Sequence, residues 1–252
     1  MLQIIPITGL PEIKPGDDLP TILSACLGQG GAPTLEVGDI LIVTQKIVSK
    51  AENRFVDLSD ITPSEDARKL AEEVNKPADL VELVLRESVH VVRKAKNVLI
   101  TRHHLGHVMA NAGIDASNIG PKNGSRLLLL PKDPDASAGA IAERLAEDVG
   151  FRPAVMISDS FGRPWRMGTT NVAIGISGMA AVLDQRGESD RDGREMQVTQ
   201  IALADAVAAA AGLVMGEGAE GIPAAIARGI ETLGAPQSSN DILRPEHEDL
   251  FR

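Results

Sequence analysis

Pro153-Ala154-Val155-Met156-Ile157-Ser158-Asp159-Ser160 is an apolar run that ends on a carboxylate between two hydroxyls. Its uncharged residues read as a short strand over Val155 to Ser158. Asp159 and Ser160 then sit at the strand's end, which is where open α/β sheets hold their ligands. Further short apolar runs at Ile40 to Thr44, Val98 to Thr101 and Arg126 to Leu130 supply more strands. Elsewhere the apolar residues return at helical spacing. Thr62-Pro63-Ser64-Glu65 reads as a capping box with Pro at the first helical position. The helix it opens carries Ala67, Leu70, Ala71 and Val74 on one face. Pro77 opens a second, with Leu80, Val81, Val84 and Leu85, and Ala138, Ile141, Leu145 and Val149 mark a third. Glu195 to Met215 is nearly uncharged and reads as a long core helix, buried on most sides, with Asp205 inside it. The fold class is therefore mixed α/β (α+β).

The 252 residues suffice for one large domain or two small ones sharing a core. Aromatics are 2% of the chain, with no Tyr and one Trp, so the core must be built from Ala, Val, Leu and Ile. A net charge of −10 argues against nucleic acid or an anionic membrane as a partner. Cys26 is the sole cysteine, which forbids an internal disulfide and a cysteine metal cluster. Its apolar surroundings, Ile22 to Leu27, predict a buried packing role. Ile4-Ile5-Pro6-Ile7 is too short for a signal peptide. No segment reads as a membrane span of ~20 apolar residues, so a cytoplasmic protein is expected. Asp184 to Arg194 is dense in charge and reads as a solvated loop. Gly28-Gln29-Gly30-Gly31, followed by Pro33, reads as a plain flexible turn, and the chain has no Walker P-loop.

Asn111-Ala112-Gly113-Ile114-Asp115-Ala116-Ser117-Asn118 carries a carboxylate, two carboxamides, a hydroxyl and a Gly able to take a positive φ. Its only large apolar residue is Ile114, so it reads as a polar site loop and not as core. Met215-Gly216-Glu217-Gly218-Ala219-Glu220-Gly221-Ile222-Pro223 places three glycines around two carboxylates after the long helix. With the 157–166 segment, these loops offer Asp115, Asp159, Ser160 and Glu217. All are hard oxygen donors suited to Mg²⁺ or Mn²⁺. Magnesium usually takes one or two protein carboxylates and leaves its other positions to water and phosphate. The four donors are thus enough for two ions bridging a nucleotide. Each piece alone has a plainer reading, as a turn former or a helix C-cap. Taken together they favour a metal–phosphate site.

These motifs, with others in order along the chain, resemble the coenzyme F-420-0:L-glutamate ligase (CofE) family. The likeness begins with Pro6-Ile7-Thr8-Gly9-Leu10-Pro11-Glu12-Ile13 and Gly16-Asp17-Asp18-Leu19. It continues through Gly38-Asp39-Ile40-Leu41-Ile42-Val43, Ile47-Val48-Ser49-Lys50-Ala51-Glu52 and Arg102-His103. After the 111–118 segment come Asp159-Ser160, Gly162-Arg163, Ala173-Ile174-Gly175-Ile176 and Gly193-Arg194-Glu195, and the 215–223 loop closes it. The resemblance implies a single two-lobed unit over 1–252, built of intertwined subdomains without a C-terminal fusion domain. It also implies a homodimer, and the aliphatic composition is compatible with a core completed across a subunit interface.

By the same resemblance, a first metal ion falls to Asp115 and Asp159 and a second to Ser160 and Glu217. Asp115, Asp159 and Glu217 are the catalytic carboxylates. GTP contacts fall to Leu10, Pro11, Glu12 and Ile13, to Gln45, Lys46, Lys50 and Asn118, and to Met215, Gly216, Glu217, Gly218, Ala219, Glu220, Gly221 and Ile222. Position 45 is often Ser in relatives, and Gln reaches further; position 160 is often Thr, and Ser keeps the hydroxyl. The implied cofactors are two Mg²⁺ or Mn²⁺ ions and a monovalent cation such as K⁺. The implied partners are GTP, L-glutamate and the deazaflavin coenzyme F-420-0. The expected reaction is GTP-dependent addition of glutamate through an acyl phosphate, with GDP and phosphate released. A metal-dependent nucleotide phosphohydrolase would need the same carboxylates without an amino-acid pocket, and a nucleotide-binding regulator would show no turnover.

Other residues invite readings of their own. His103, His104 and His107 lack a convincing third-and-fourth-ligand pattern for zinc. His103 matches a family position and is a candidate substrate contact, whereas His104 and His107 read as surface or packing residues. Arg163 and Arg166 flank Trp165, either to pair with substrate carboxylate or phosphate or to stack on the indole.

Overall fold

The computed structural model describes residues 1–28, 32–120 and 126–250, so most of the expected Gly28–Gly31 turn lies outside the described residues. In chain order the strands are β1 (Gln3–Ile7), β2 (Ile40–Thr44), β3 (Phe55–Asp57), β4 (Ser88–Ala95), β5 (Val98–His103), β6 (Val108–Ala110), β7 (Arg126–Leu128), β8 (Ala154–Gly162), β9 (Thr169–Ser177), β10 (Leu183–Asp184), β11 (Gln200–Ile201) and β12 (Ala224–Arg228). The helices are α1 (Leu19–Cys26), α2 (Gln45–Ala51), α3 (Glu65–Val74), α4 (Ala78–Arg86), α5 (Pro134–Val149) and α6 (Leu203–Met215).

The main sheet has the order β1-β12-β2-β8-β9, with β2 and β8 parallel and the other neighbours antiparallel. Its central strands are apolar over Ile40 to Val43, Ala154 to Ile157 and Ala224 to Ala227 because both faces are covered there. Leu41, Val43, Val155, Ile157 and Ile226 face one cluster with Leu23 of α1 and Ile141 and Leu145 of α5. Ile40, Ile42, Met156, Ala225 and Ala227 alternate with them and face Val207, Ala208 and Ala211 of α6. Small residues on α6 and β12 let helix and sheet approach closely. Truncating fully buried Ile42 to Ala would cost about 2–5 kcal/mol.

A second layer system is built from residues 55–120 and 126–128. The β4-β5-β6 sheet packs with α3 and α4 around Ala67, Ala71, Val74, Val81, Val84 and Leu99. Beside it, β3 pairs with β7. Among the described residues no helix is long and apolar enough to cross a membrane.

Several sequence expectations change. The strand that opens at Ala154 does not stop at Ser158; it runs to Gly162 as one arm of a hairpin with β9, after a bulge between Ile157 and Ser158. Its parallel neighbour β2 does stop, at Thr44 opposite Ser158. Asp159 and Ser160 therefore still project past the carboxyl end of the parallel pair. The helix after Thr62 is capped by Ser64, whose Oγ accepts from Ala67 N at 3.2 Å and donates to Glu82 Oε2 at 2.6 Å. That tie to α4 selects Ser64 over Thr62 and leaves Pro63 ahead of the cap. The long helix begins at Leu203, not Glu195, because the preceding residues fold back: Gln185 N donates to Thr199 O and Gly187 N to Met196 O. Leu213 on its outer face is 88% exposed, so α6 is buried on one side only. Cys26 is half-buried, not buried.

Candidate functional site

Three segments meet at the carboxyl end of the β2–β8 pair, and the chain chemistry places each of them. Asn111, Ala112 and Gly113 take φ values of 50°, 52° and 68°, a left-handed turn. Ala112 there is strained for an L-residue, and its methyl is buried in the cluster of α3, α4 and β5. A Cβ at Gly113 would come within 3.1 Å of the Leu130 side chain. The small residues of this loop thus serve core packing, contrary to the expectation that it builds none. The turn delivers Asp115, whose N–H and C=O are locked to Leu128 at 2.9 Å each. The second segment is the β8–β9 hairpin, which carries Asp159 and Ser160. The third is the loop after α6. It turns at Gly216 with φ 74°, where a Cβ would collide with the Glu220 carboxyl group. Glu220 folds back to accept from Gly218 N at 2.8 Å, and Asn118 Nδ2 donates to Gly218 O at 2.9 Å.

These segments wall a cavity of about 620 Å³. Residues 10–13, Gln45, Lys46, Lys50, Asn118 and Met215 to Ile222, all named from sequence, line it, together with Asp159 and Ser160. Asp115 stands behind the wall and is held by two lining residues. Gln45 Nε2 donates to Asp115 Oδ2 at 2.7 Å, and Lys46 Nζ lies 2.9 Å from the same oxygen. The extra length of Gln45 lets it span from Asp115 to Ser49, whose Oγ donates to Gln45 Oε1 at 3.0 Å. Lys50 is buried along its stem and pairs with Glu12 at 2.6 Å.

The wall is short of positive charge. Burial raises the Asp115 carboxyl above its ordinary range even with Lys46 and Gln45 attached. Asp159 opens to the cavity on one edge but is enclosed elsewhere; burial, then the Asp115 charge, push it up to about 7, against the Ser160 N–H and Lys46. Glu217 adds repulsion to both. Further along the hairpin, Ser160 Oγ donates to Glu217 Oε2 at 2.6 Å. Asn171 Nδ2 donates to Glu217 Oε1, also at 2.6 Å.

Among the described residues no three His, Cys, Asp or Glu side chains cluster closely enough to cage an ion by themselves. The donors fall into two pairs, Asp115 with Asp159 and Ser160 with Glu217. One pair per ion matches what magnesium asks of a protein when water and phosphate fill its other positions. Carboxylates whose charge is raised in cost by burial and by one another also gain from a nearby cation. The residues present therefore fit a pair of hard divalent ions.

The model of the F420-0:Gamma-glutamyl ligase family matches residues 8–229. The chain belongs to that family. It is 40% identical over its whole length to the Coenzyme F420:L-glutamate ligase of Methanothermobacter thermautotrophicus, covering 99% of that protein. It is 43% identical, again over its whole length, to the enzyme of the same name from Archaeoglobus fulgidus, covering 96% of it, and 41% identical to that of Methanopyrus kandleri, covering 98%.

Not every residue singled out in this family member reaches the cavity. His103 is buried at the end of β5, accepting from Leu105 N at 2.9 Å with its Nε2 3.7 Å from Glu87. It does not line the cavity. His104 is exposed and reaches Arg86 O, whereas His107 is buried against Phe161. Arg163, Trp165 and Arg166 sit exposed at the tip of the hairpin, outside the lining. Sequence reasoning missed Asn171, which is buried and lines the cavity. A lone carboxamide beside the apolar run Val172 to Ile176 was its only signal.

Proposed function

We propose that this chain is a GTP-dependent ligase that joins L-glutamate to coenzyme F-420-0, releasing GDP and phosphate. One observation carries the reading. Asp159 and Glu217 line one cavity wall beside Lys46 and Lys50, and Asp115, from a third chain segment, stands directly behind it on Lys46. The names of the relatives supply the acceptor and the amino acid.

The chemistry needs activation, because a carboxylate oxygen is a poor leaving group. An oxygen of the acceptor carboxylate attacks the γ-phosphorus of GTP, the bond to the β-phosphate oxygen breaks, and GDP leaves with the electron pair. The glutamate amine then attacks the acyl phosphate carbon, forming C–N and expelling phosphate. Phosphoryl transfer is mainly positioning and charge neutralisation. Two Mg²⁺ or Mn²⁺ ions, when bound, would supply that neutralisation at the phosphates and the acceptor carboxylate. Asp115 and Asp159 would hold one and Ser160 and Glu217 the other. Gln45 and Lys46 orient Asp115. Lys50 exchanges Glu12 for a phosphate oxygen. Residues 10–13 and the 215–222 loop cover the nucleotide and limit water, which would otherwise hydrolyse the acyl phosphate.

Mass spectrometry of deazaflavin products after incubation with GTP, Mn²⁺ and L-glutamate tests this. A mass gain of one or more glutamyl residues, with GDP release that requires glutamate and acceptor, is expected. Phosphate release that ignores both would indicate a phosphohydrolase and overturn the reading. On the family resemblance we also propose a homodimer as the working form. Trp165, Met167 and Leu213, each at least 87% exposed, are apolar surface such an assembly could cover. Light scattering at micromolar concentration should give twice the chain mass; a monomer would refute it.

A further inference from the structure

Two buried carboxamides of the cavity wall bond a carboxylate assigned to an ion: Gln45 holds Asp115, and Asn171 holds Glu217. Asn171 sits opposite Ser160 in the β8–β9 ladder, so the two residues face the 215–223 loop from adjacent strands. Each donates to a different oxygen of Glu217, Ser160 Oγ to Oε2 and Asn171 Nδ2 to Oε1, both at 2.6 Å. One donor would leave the carboxylate free to rotate; two donors on two oxygens fix its plane. Each oxygen keeps a lone pair directed elsewhere. Ser160, having given its proton to Glu217, also keeps lone pairs for a cation.

A glycine behind the amide supports the same role. Gly212 of α6 lies directly behind the Asn171 amide, and a methyl group built there would overlap Nδ2. Helix interiors favour Ala over Gly, and most of the neighbouring positions of α6 are Ala. The helix gives up a methyl at the position where the amide must sit. Asn171 does not ligate in this arrangement, since its carboxamide nitrogen is spent on Glu217. A carboxylate at position 171 would repel Glu217, whereas the amide holds it without adding charge.

We infer that Asn171 is a positioning residue that fixes the Glu217 carboxylate for the second divalent ion, with Gly212 supplying the space for its amide. The inference rests on the two-ion reading of the cavity. Two variants disturb it independently. Asn171→Leu removes the donor at nearly constant volume. Gly212→Ala leaves both Asn171 and Glu217 in the sequence but pushes the amide away, and the better helix propensity of Ala offsets part of the cost of the overlap.

The test is Mn²⁺ titrated into wild type and both variants with one equivalent of GDP, read from the paramagnetic resonance of free Mn²⁺ against a protein-free GDP blank, alongside thermal melts. Wild type should take two ions per chain. Both variants should keep the tighter ion and bind the weaker at least tenfold less well, with Gly212→Ala still melting in a single cooperative transition. Two ions at wild-type affinities in both variants would overturn the inference and leave the two-ion site standing. Equal weakening of both ions would overturn it too, since the effect would then belong to the whole wall. Failure of wild type to take a second ion would defeat the inference together with the reading on which it rests.

Discussion

The Asp115–Asp159 half of the cavity wall and the Ser160–Glu217 half are built on opposite principles. The first is assembled from distant chain segments and is electrostatically loaded. Asp115 comes from the 111–118 turn, Asp159 from the main sheet, and both carboxyls are raised by burial and by Glu217, Asp159 also by the Asp115 charge, despite Lys46. The second half also joins separate chain segments, since Glu217 comes from the loop after α6, but its charge is met by hydrogen bonds, with Glu217 held between cross-strand neighbours Ser160 and Asn171. A loaded pair is stabilised most by a cation, and loses most when one charge is removed. A hydrogen-bonded pair is already placed, so its loss alters geometry before affinity.

The largest expected effect falls on the loaded half. Asp159→Asn, or Asp115→Asn, should lower turnover by more than about 10²-fold at saturating metal, the scale of losing one preorganised electrostatic contact. Steady-state GDP release with all substrates present measures it. Near wild-type rates in either variant would erase the contrast between the halves.

Stability against pH sharpens the same contrast, because two buried groups pull in opposite directions. His107 packs against Phe161 of β8 and is lowered to about 4, by burial first and then by the His103 charge. Its unfolded value is about 6.5. Between those values the unfolded chain binds the extra proton, so stability falls as pH falls. Asp159, raised to about 7 in the fold from an unfolded value near 3.9, binds its proton in the folded state over the same window, so its contribution rises as pH falls. In wild type without divalent ions the two largely cancel. In Asp159→Asn the His107 loss is no longer offset by Asp159, and it amounts to at most about 2 kcal/mol between pH 6.5 and 5.0 at 1.36 kcal/mol per unit. Denaturant unfolding of both proteins at those two pH values reads the difference. Parallel pH curves would show that the first half stores no such charge.

The two halves also differed in how far the sequence exposed them. Ile40 to Thr44 coincides with its strand because a short, mostly β-branched apolar run directly after the turn ending in Gly38-Asp39 admits little else. The three site segments were visible as polar and glycine-rich residues between apolar flanks, and their residues do meet at one cavity. Register was not visible. Nothing in one dimension says that β8 passes Ser158 after a bulge, or that Asn171 stands across from Ser160. Nor did sequence show that Ala112 would be core, since a single methyl becomes core only where a left-handed turn drives it inward. Glu195 to Ile201 reads as helix by its lack of charge, yet its backbone returns to pair with residues 183–187. Tertiary pairing outweighed local propensity there.

Glu217→Gln is a smaller perturbation than Asp159→Asn because an amide keeps the shape and one acceptor oxygen. The maximal rate should fall about tenfold while GDP affinity moves much less, the pattern of an interaction gained mainly in the transition state. Calorimetric GDP titration beside steady-state kinetics separates the two. A variant with weaker nucleotide affinity and an intact maximal rate would make the 215–223 loop a binding element alone.

The smallest effect belongs to neither half. Lys50 is buried along its stem, and its ammonium meets Glu12, whose side chain is 69% exposed. An ion pair with an exposed partner is worth at most about 1 kcal/mol, so giving up Glu12 for a phosphate oxygen costs little. The new charge-assisted contact is worth about 1.5–3 kcal/mol. The difference, about 1 kcal/mol, predicts that Lys50→Ala weakens GDP binding roughly fivefold. Because Lys50 touches neither Asp115 nor Glu217, the number of Mn²⁺ ions bound per chain should not change. Loss of an ion in Lys50→Ala, with nucleotide affinity intact, would move this lysine from the phosphates to the metal-holding wall and collapse the division between the two halves and their surroundings.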